Sequence, residues 1–369
     1  MDRKLLLCIT GHGYGHATRC RAVLEEFFRF SPSLEVTVST TVPARLFEVG
    51  VPGKICWRQQ DYEPGAVQKS CFEVDVAATR TAYKRHLAER PERLRAEIDF
   101  MKTQGFHGLV ADIPAIPLAA ASSLGVPAVG LWNFTWDWIL DPLLHESRDQ
   151  GLANLPALLR KDYAAAPLHL RLPFSARSSP IEGVEDMPLV GRKSRKPRDK
   201  TLGYVGFKAD DSRPLVLLAM GGWECRTWSP IKVEGCKDFR FLMVGDLPVE
   251  LSTEVRRVPA NLSQGYAFSD LVAAADIVLS KPGYGIASEC VLNRTPLLGV
   301  ERRGFREAPE LIRDMKGFGP FEEISLTDFF SGRWEPFLLS LLRSNRPWQS
   351  VREDGAKVVA RRLSKFFGW

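Results

Sequence analysis

A strand–glycine turn–helix–strand pattern in the second half of the chain constrains the fold most strongly. An apolar run at residues 273–279 leads into the turn PGYG at 282–285, residues 286–292 have helical spacing, and residues 296–300 form a second apolar run. Such a turn leaves free backbone N–H groups at a helix N-terminus, where the helix dipole favours an anion. Glu289 follows about one helical turn further in, so we interpret the stretch as a nucleotide-diphosphate site.

The N-terminal end of the chain carries the same kind of pattern. Residues 5–10 form an apolar run, the turn GHGYGH follows at 11–16, and residues 17–28 have helical spacing. A further series begins at residues 215–222 with an apolar run that ends in two glycines. Ligands of doubly wound α/β domains bind at the carboxyl ends of the strands, where these turns lie. We therefore predict an α/β fold with two Rossmann-like domains facing across a cleft.

The length of 369 residues also favours two domains, because single hydrophobic cores rarely grow this large. We predict an N-terminal domain at residues 1–175 and a C-terminal domain at residues 214–350. Residues 176–213 carry several prolines and many charges, and we interpret them as the connection. The basic amphipathic stretch at 351–369 predicts a final helix, whose apolar face packs on protein or touches a membrane surface.

The charge indicates which kinds of partner the protein could bind, and the cysteine content indicates its cellular compartment. Part of the formal net charge of +6 lies in residues 192–200 (RKSRKPRDK), which fit either a nucleic-acid patch or, as we expect, a solvated linker. The seven cysteines are scattered and lack a Cys-x-x-Cys pair, which favours free thiols in a reducing compartment. No apolar stretch is long enough to span a bilayer or to form a signal peptide. We predict a cytoplasmic protein without a nucleic-acid partner and with at most peripheral membrane contact; the oligomeric state stays open.

Several separated stretches resemble one family. GHGYGHATR at 11–19, NFTWD at 133–137, PLVGRKSRKPRDKTLG at 188–203, KPGYGIASE at 281–289 and REAPE at 306–310 are similar to the N-terminal, glycosyltransferase-like part of plant and bacterial L-arabinokinases. The resemblance covers about residues 5–345, and the kinase part of those proteins has no counterpart in this sequence. KPGYGIASE is also similar to the donor motif of the transferase that adds N-acetylglucosamine to the lipid-linked peptidoglycan precursor.

The resemblance implies the GT-B fold and an inverting glycosyltransferase. The donor substrate would be a nucleoside-diphosphate sugar, a UDP-sugar in particular, and the sugar would pass to the hydroxyl of an unidentified acceptor. A sugar-nucleotide hydrolase or epimerase on the same fold, or a non-catalytic sugar-nucleotide sensor, are the alternatives. No His/Cys cluster has metal-ligand spacing, so we predict neither a metal nor another cofactor. In GT-B folds the last helix usually crosses back, so residues 351–369 are expected to pack on the N-terminal domain.

The resemblance also implies which residues hold the donor. The glycines of the turns would hold the diphosphate, and the carboxylate of Glu289 would accept hydrogen bonds from the ribose hydroxyls. Arg306 and Glu307 stand where the family usually has an Asp-Gln or Asn-Gln pair, which leaves the sugar open. The predicted donor-binding residues are Gly13, Gly15, Gly221, Gly222, Lys281, Gly283, Tyr284, Gly285, Ser288, Glu289, Arg306 and Glu307. The alternative is a plain tight turn with Glu289 in solvent and an exposed, charged helix start at 306–310.

An inverting transferase needs a base for the acceptor proton, and histidine suits that role. By resemblance His16 is the first candidate for the catalytic base, with phosphate binding or a helix cap as the alternative, and His12 is the second candidate. Asp112 ends another strand, at 108–111, and could orient a histidine; a helix cap or turn residue is the alternative. Arg19 could meet a phosphate or an acidic acceptor, or stay solvated.

Aromatic residues follow the apolar run at 127–131, again at a strand end. Aromatic rings stack on the apolar faces of sugars, so this segment could line the acceptor pocket. The predicted acceptor-binding residues are Trp132, Asn133, Trp136 and Asp137. Burial in the domain core is the competing interpretation for the aromatic rings.

Overall fold

The structure is a computed structural model, and it describes residues 3–48, 51–145, 151–176, 181–208, 210–221, 228–259 and 262–369. The chain forms two compact units, each of which is described by itself. The first comprises Met1–Val67, Val74–Val190 and Asp354–Trp369, and the second comprises Gln68–Glu73 and Gly191–Glu353. The short segment Gln68–Glu73 therefore belongs to the second unit, and the C-terminal segment belongs to the first.

Both units contain strands and helices along their whole length. Up to residue 190 they are β1 (Lys4–Ile9), α1 (Tyr14–Phe30), β2 (Glu35–Thr40), α2 (Arg45–Glu48), β3 (Lys54–Gln59), β4 (Gln68–Ser70), β5 (Glu73–Val74), α3 (Val76–Gln104), β6 (Gly108–Asp112), α4 (Ile116–Leu124), β7 (Ala128–Trp132), α5 (Trp136–His145), α6 (Leu155–Ala164), β8 (Leu168–Arg171) and β9 (Val184–Asp186). Beyond residue 190 they are α7 (Arg198–Tyr204), β10 (Leu215–Ala219), β11 (Ile231–Val233), β12 (Arg240–Val244), β13 (Val249–Leu251), β14 (Val255–Val258), α8 (Phe268–Ala274), β15 (Ile277–Ser280), α9 (Tyr284–Asn293), β16 (Leu297–Val300), α10 (Glu307–Phe318), β17 (Phe321–Ile324), α11 (Leu326–Phe330), α12 (Glu335–Arg343) and α13 (Gly355–Phe367).

The first unit is built on one parallel sheet in the order β3-β2-β1-β6-β7-β8-β9. Strands β6 and β7 are buried along their whole length, as expected for a parallel sheet covered on both faces. The strand order reverses between β1 and β6, and ligands of such folds bind outside the carboxyl ends of the strands at that switch point. The register pairs Ile9 with Asp112, so the turn after β1 begins beside the end of β6.

The second unit repeats this plan in the order β14-β12-β10-β15-β16-β17, again with every neighbouring pair parallel. Strands β10, β15 and β16 are buried throughout. Here the order reverses between β10 and β15, where Ala219 pairs with Ser280. The turns that follow these two strands therefore lie at the same edge of the sheet. The predicted fold class, with two parallel-sheet α/β domains, is confirmed.

The C-terminal helix α13 lies against α1 within the first unit. The ring of Trp369 stacks on Phe27, with centroids 6.0 Å apart, and on Phe367, with centroids 4.6 Å apart. Arg362 donates two hydrogen bonds to Glu185, each 2.7 Å long. The apolar face of the final helix is thus used in packing on the protein.

The described cysteines, which exclude Cys225, are all free thiols, and most are buried. This agrees with the predicted free thiols for that part of the chain. No helix among the described residues is long and apolar enough to cross a membrane.

Candidate functional site

The switch point of the first unit holds a buried carboxylate with several donors around it. Asp112, fully buried at the end of β6, accepts hydrogen bonds from His16 Nδ1 at 2.7 Å and from Cys20 Sγ at 3.1 Å. Arg19 donates to both oxygens of Asp112, from Nε at 2.6 Å and from Nη2 at 2.5 Å. His16, Arg19 and Cys20 are three and four residues apart on α1, a spacing that puts them on one face of a helix. The predicted pairing of Asp112 with a histidine is therefore present in the structure.

The charge of Asp112 determines which nitrogen of a neutral His16 ring carries the proton. Burial alone would raise the pKa of Asp112, but Arg19 and His16 outweigh it and lower this pKa to about 2. Asp112 is thus a carboxylate at neutral pH and can only accept hydrogen bonds. Arg19 Nη2 also lies 3.0 Å from His16 Nδ1, but it donates to Asp112 Oδ1 at 2.5 Å. Because the Asp112 carboxylate can only accept, the proton of a neutral His16 ring belongs on Nδ1, and Nε2 is left as the acceptor. His16 Nε2 has no hydrogen-bond partner in the described part of the chain.

His12 lies on the same turn but is held differently. Its Nε2 is 2.8 Å from the carbonyl oxygen of Ala66, which can only accept, so this nitrogen is a donor. Its ring meets Trp136 edge-on, with centroids 5.2 Å apart. Of the two predicted base candidates, His16 thus pairs with the carboxylate of Asp112, whereas Nε2 of His12 donates to a backbone carbonyl.

Helix α1 begins with an N-terminus suited to an anion. Gly13 is its N-cap with φ +90°, a left-handed value that favours glycine, and no side chain caps the first N–H groups. Gly15 lies in the first turn, where its carbonyl accepts from Thr18 Oγ1 at 3.1 Å. The first turn carries no acidic residue, so the dipole is not offset there.

The four residues predicted to contact the acceptor divide into two pairs. Asn133 accepts from Arg19 Nη1 at 2.5 Å, and Trp136 meets His12, so both join the histidine turn. Trp132 instead donates to buried His169 at 3.0 Å, and Asp137 accepts from Arg160 at 3.1 Å. Both tryptophans are less than 4% exposed (Trp132 3%, Trp136 2%), so their rings form part of the core, as the competing interpretation had it.

Glu63 is a residue near this site that the sequence did not suggest. The indole of Trp136 donates to Glu63 Oε1 at 3.1 Å. Burial raises the pKa of Glu63 to about 7, against the hydrogen bonds from Thr10 and Trp136. Glu63 lies in a segment without helix or strand, so no local periodicity could have identified it.

The switch point of the second unit holds a buried carboxylate with a hydrogen bond to one of its two oxygens. Glu289 on α9 is 4% exposed, which excludes the alternative of a solvent-facing side chain. Its Oε1 accepts from Arg192 Nε and lies 2.8 Å from Nη2 of the same guanidinium. Its Oε2 is buried and has no partner among the residues that the structure describes. Burial raises the pKa of Glu289, although Arg192 opposes this shift.

The turn before α9 leaves space at the helix N-terminus. Gly283 is the N-cap with φ −157°, an extended value open to any residue, and a Cβ there would meet no atom within 4 Å. Neither backbone conformation nor packing therefore requires glycine at this position. The N-cap makes no side-chain hydrogen bond and the first turn has no acidic residue, so the helix dipole at this end favours an anion.

Further predicted donor residues of the second unit lie on or beside this turn. Gly221 follows β10, and a Cβ on it would lie 3.4 Å from Cε of Lys281. Tyr284 is buried, and Ser288 donates its hydroxyl to the Gly285 carbonyl at 2.9 Å. Gly222 lies outside the described residues.

An arginine that the sequence did not suggest, Arg302, connects the start of α10 to the same turn by hydrogen bonds. Arg306 is the N-cap of α10. Arg302 Nη1 donates to Glu307 Oε1 and to the carbonyl oxygen of Pro282, each at 3.2 Å. The predicted residue Glu307 is thus linked to the glycine turn through Arg302.

In the described part of the chain, no three His, Cys, Asp or Glu side chains form a group that could hold a metal ion.

Solved glycosyltransferases of the GT-B fold are similar to the chain over nearly its whole length. The glycosyltransferase of kitacinnamycin has a TM-score of 0.63 at 11% identity, covering 98% of both chains. A UDP-glucosyltransferase from Polygonum tinctorium capable of glucosylating indoxyl has a TM-score of 0.59 at 13% identity, covering 100% of this chain and 99% of its own. The calicheamicin glycosyltransferase CalG4 has a TM-score of 0.57 at 14% identity, covering 100% and 94%. The fold class is therefore that of the GT-B glycosyltransferases.

Among curated proteins, L-arabinokinase of Arabidopsis thaliana is 27% identical over 363 residues. The match covers 97% of this chain and lies in the N-terminal part of that protein, of which it spans 34%. The chain thus spans about a third of the length of this relative. The predicted resemblance to the N-terminal part of L-arabinokinases is confirmed. No protein-family model matches the chain.

Proposed function

We propose that the protein is a glycosyltransferase that moves a sugar from a nucleoside-diphosphate sugar to an acceptor hydroxyl with inversion. The observation that carries the proposal is the pairing of His16 Nδ1 with the buried carboxylate of Asp112, which leaves Nε2 as an acceptor. The similarity to solved glycosyltransferases over nearly the whole chain supports it.

In the proposed reaction His16 acts as general base. Its Nε2 takes the proton of the acceptor hydroxyl as the oxygen forms a bond to the anomeric carbon of the donor sugar. The bond from that carbon to the diphosphate oxygen breaks, and the electron pair leaves with the nucleoside diphosphate. Asp112 stabilises the imidazolium that forms, because it stays ionised and hydrogen-bonded to Nδ1. A single displacement of this kind inverts the configuration at the anomeric carbon.

The second unit supplies the donor site in this proposal. The uncapped N-terminus of α9, with Gly283 and Gly285, stabilises the charge of the leaving diphosphate, with Gly221 and Lys281 beside it. The buried Oε2 of Glu289 accepts a hydrogen bond from a ribose hydroxyl, which supplies the partner that the protein does not. This chemistry uses no metal ion, and we propose a UDP-sugar as the donor.

The histidine turn of the first unit supplies the acceptor site. Trp136 and Asn133 shape it beside His12 and Arg19, while Trp132 and Asp137 support the segment from the core. The acceptor is a hydroxyl compound, and its class stays open. Arg192, Lys193 and Arg198 of the basic stretch pair with Glu289, Glu353 and Asp276. We propose no nucleic-acid partner for it.

The decisive experiment measures nucleoside-diphosphate release from UDP-glucose, UDP-galactose, UDP-arabinose, UDP-N-acetylglucosamine and dTDP-glucose, with and without fractionated cell extract as the source of acceptor. Release that depends on extract supports transfer. Release without extract shows hydrolysis, and tight binding without turnover shows a sensor; either result contradicts the proposal.

A matched pair of histidine variants tests the base. His16→Ala should lower the turnover number by about 10²-fold or more with nucleotide affinity unchanged. His107→Ala is the control, because His107 is exposed and precedes the amino end of β6, the strand that ends in Asp112. Equal turnover in the two variants would remove His16 from the mechanism.

A further inference from the structure

Arg302 is a buried arginine whose guanidinium is fixed on one side only. It follows β16, next to β15 in the sheet, and its side chain is 6% exposed. Nη1 uses its two donors on the Pro282 carbonyl and the Glu307 carboxylate, each at 3.2 Å. The guanidinium lies over the ring of Phe305, with Cζ 3.4 Å from the ring centroid. These contacts set both the position and the plane of the guanidinium.

The other edge of the same guanidinium has no partner. Nε is buried without a hydrogen-bond partner, and Nη2 has none among the described residues either. The Nε–H and Nη2–H bonds of an arginine point the same way and form the fork that binds two oxygens of a carboxylate or phosphate. A buried charged donor left without an acceptor costs about 1–3 kcal/mol or more, so a protein rarely retains one without a use for it.

The electrostatic setting favours an added anion. Burial lowers the pKa of Arg302, while Glu307 opposes this shift, and the side chain stays protonated at neutral pH. Among the described residues, Glu307 is the one carboxylate that contacts Arg302. It contacts Nη1 and leaves the fork of Nε and Nη2 without an anion. An oxyanion on the fork would supply the missing acceptors and more negative charge for a cation held away from water.

We infer that Arg302 is an oxyanion-binding residue of the donor site, whose Nε–Nη2 fork binds two oxygens of the nucleotide sugar. The hydrogen bond from Nη1 to Pro282 places the guanidinium at the turn before α9, which the proposed function gives to the diphosphate. The inference rests on that proposed function and adds a residue and a charge requirement to it. The oxygens belong either to the diphosphate or to a carboxylate on the donor sugar.

Equilibrium binding by calorimetry tests the inference with UDP, UDP-glucose, UDP-glucuronate and inorganic pyrophosphate. Arg302→Lys keeps the charge and loses the fork, and Arg302→Gln loses both. Arg303→Gln is the matched control, because Arg303 is the exposed next residue and pairs with Glu301. Thermal melting of each variant verifies that it is folded; if Arg302→Gln does not fold, Arg302→Lys carries the test.

Two results support the inference and separate the sources of the oxyanion. A fall of about tenfold or more in affinity for UDP and pyrophosphate in Arg302→Lys, but not in Arg303→Gln, assigns the fork to the diphosphate. Unchanged UDP affinity with a lost preference for UDP-glucuronate over UDP-glucose assigns it to a sugar carboxylate.

Wild-type affinity of both Arg302 variants for all four compounds would overturn the inference. That result differs from failure of the proposed function, in which the wild-type protein itself binds no UDP or UDP-sugar. Pyrophosphate binding that depends on Arg302 would then still support an oxyanion site.

Discussion

The buried carboxylates at the two switch points differ in how many of their oxygens have hydrogen-bond donors. Asp112 receives donors on both oxygens, from His16, Arg19 and Cys20. Glu289 receives Arg192 on Oε1 and nothing on Oε2 within the described structure. The first site is thus complete from the protein's own groups, as expected for a preorganised catalytic pair. The second has an acceptor on Glu289 and a donor fork on Arg302 without partners among the described residues, and we propose that a ligand supplies them.

The largest expected effect is on the turnover number, when Asp112 of the first switch point loses its charge. Asp112→Asn keeps the size of the side chain but removes the charge that places the proton on His16 Nδ1 and stabilises the imidazolium. We expect the turnover number to fall by about 10²- to 10⁴-fold, with little change in nucleotide affinity. Steady-state kinetics with a saturating donor measures this, and a rate within a factor of about three of wild type would show that Asp112 does not act on His16.

The next largest expected effect is on the free energy of unfolding, when the cation that neutralises Asp112 is lost. Arg19→Met leaves a buried carboxylate without its bidentate partner, so the free energy of unfolding should fall by about 3–5 kcal/mol. Urea unfolding at neutral pH measures the change. The double variant Arg19→Met with Asp112→Asn should recover part of the loss, and a single variant as stable as wild type would contradict the role of Arg19.

Acid titration probes the same pair without a mutation. Because the pKa of Asp112 is held at about 2, below its ordinary 3.8, its contribution is present above pH 4 and is lost as the pH falls towards 2. The difference amounts to about 2 kcal/mol of unfolding free energy. Urea unfolding at a series of pH values should show this loss in the wild type and not in Asp112→Asn; parallel curves would contradict it.

The incomplete site should respond in the opposite way. Glu289→Gln removes a charge that lacks one partner, so we expect UDP affinity to fall about tenfold while the unfolding free energy changes by less than about 1 kcal/mol. Calorimetric titration and urea unfolding measure the two quantities. A large loss of stability with unchanged affinity would make Glu289 a structural partner of Arg192 instead.

A further pH-dependent effect on stability concerns Glu63. Its folded-state pKa of about 7 lies above its ordinary 4.5, so the folded state binds this proton more tightly and stability falls as the pH rises between these values. Glu63→Gln keeps an acceptor for Trp136 and should remove that part of the pH dependence. Urea unfolding between pH 4 and 8 measures it, and identical slopes in both proteins would show that Glu63 does not titrate this way.

Local features of the sequence were sufficient to locate both turns. Each apolar strand, glycine turn and helix lies within a short segment, so the two turns were predicted from neighbouring residues, whereas the roles of His16 and Glu289 came from the family resemblance. Strand β3 was not predicted because it is a partly exposed strand at the sheet edge, whose sequence KICWRQ mixes apolar and polar residues without alternation. Its place is fixed by parallel pairing with β2 rather than by hydrophobic periodicity.

The sequence by itself determined the fold class, the two glycine turns and the histidine that opens α1, because these depend on periodicity and turn chemistry over short stretches. Only the tertiary structure decided which charges have partners. Arg19 and Arg192 fit solvated surface positions in the sequence, yet they bind Asp112 and Glu289, 93 and 97 residues further along the chain. Such pairs form when crossover connections bring the ends of distant parallel strands to one sheet edge, and no local pattern records that proximity.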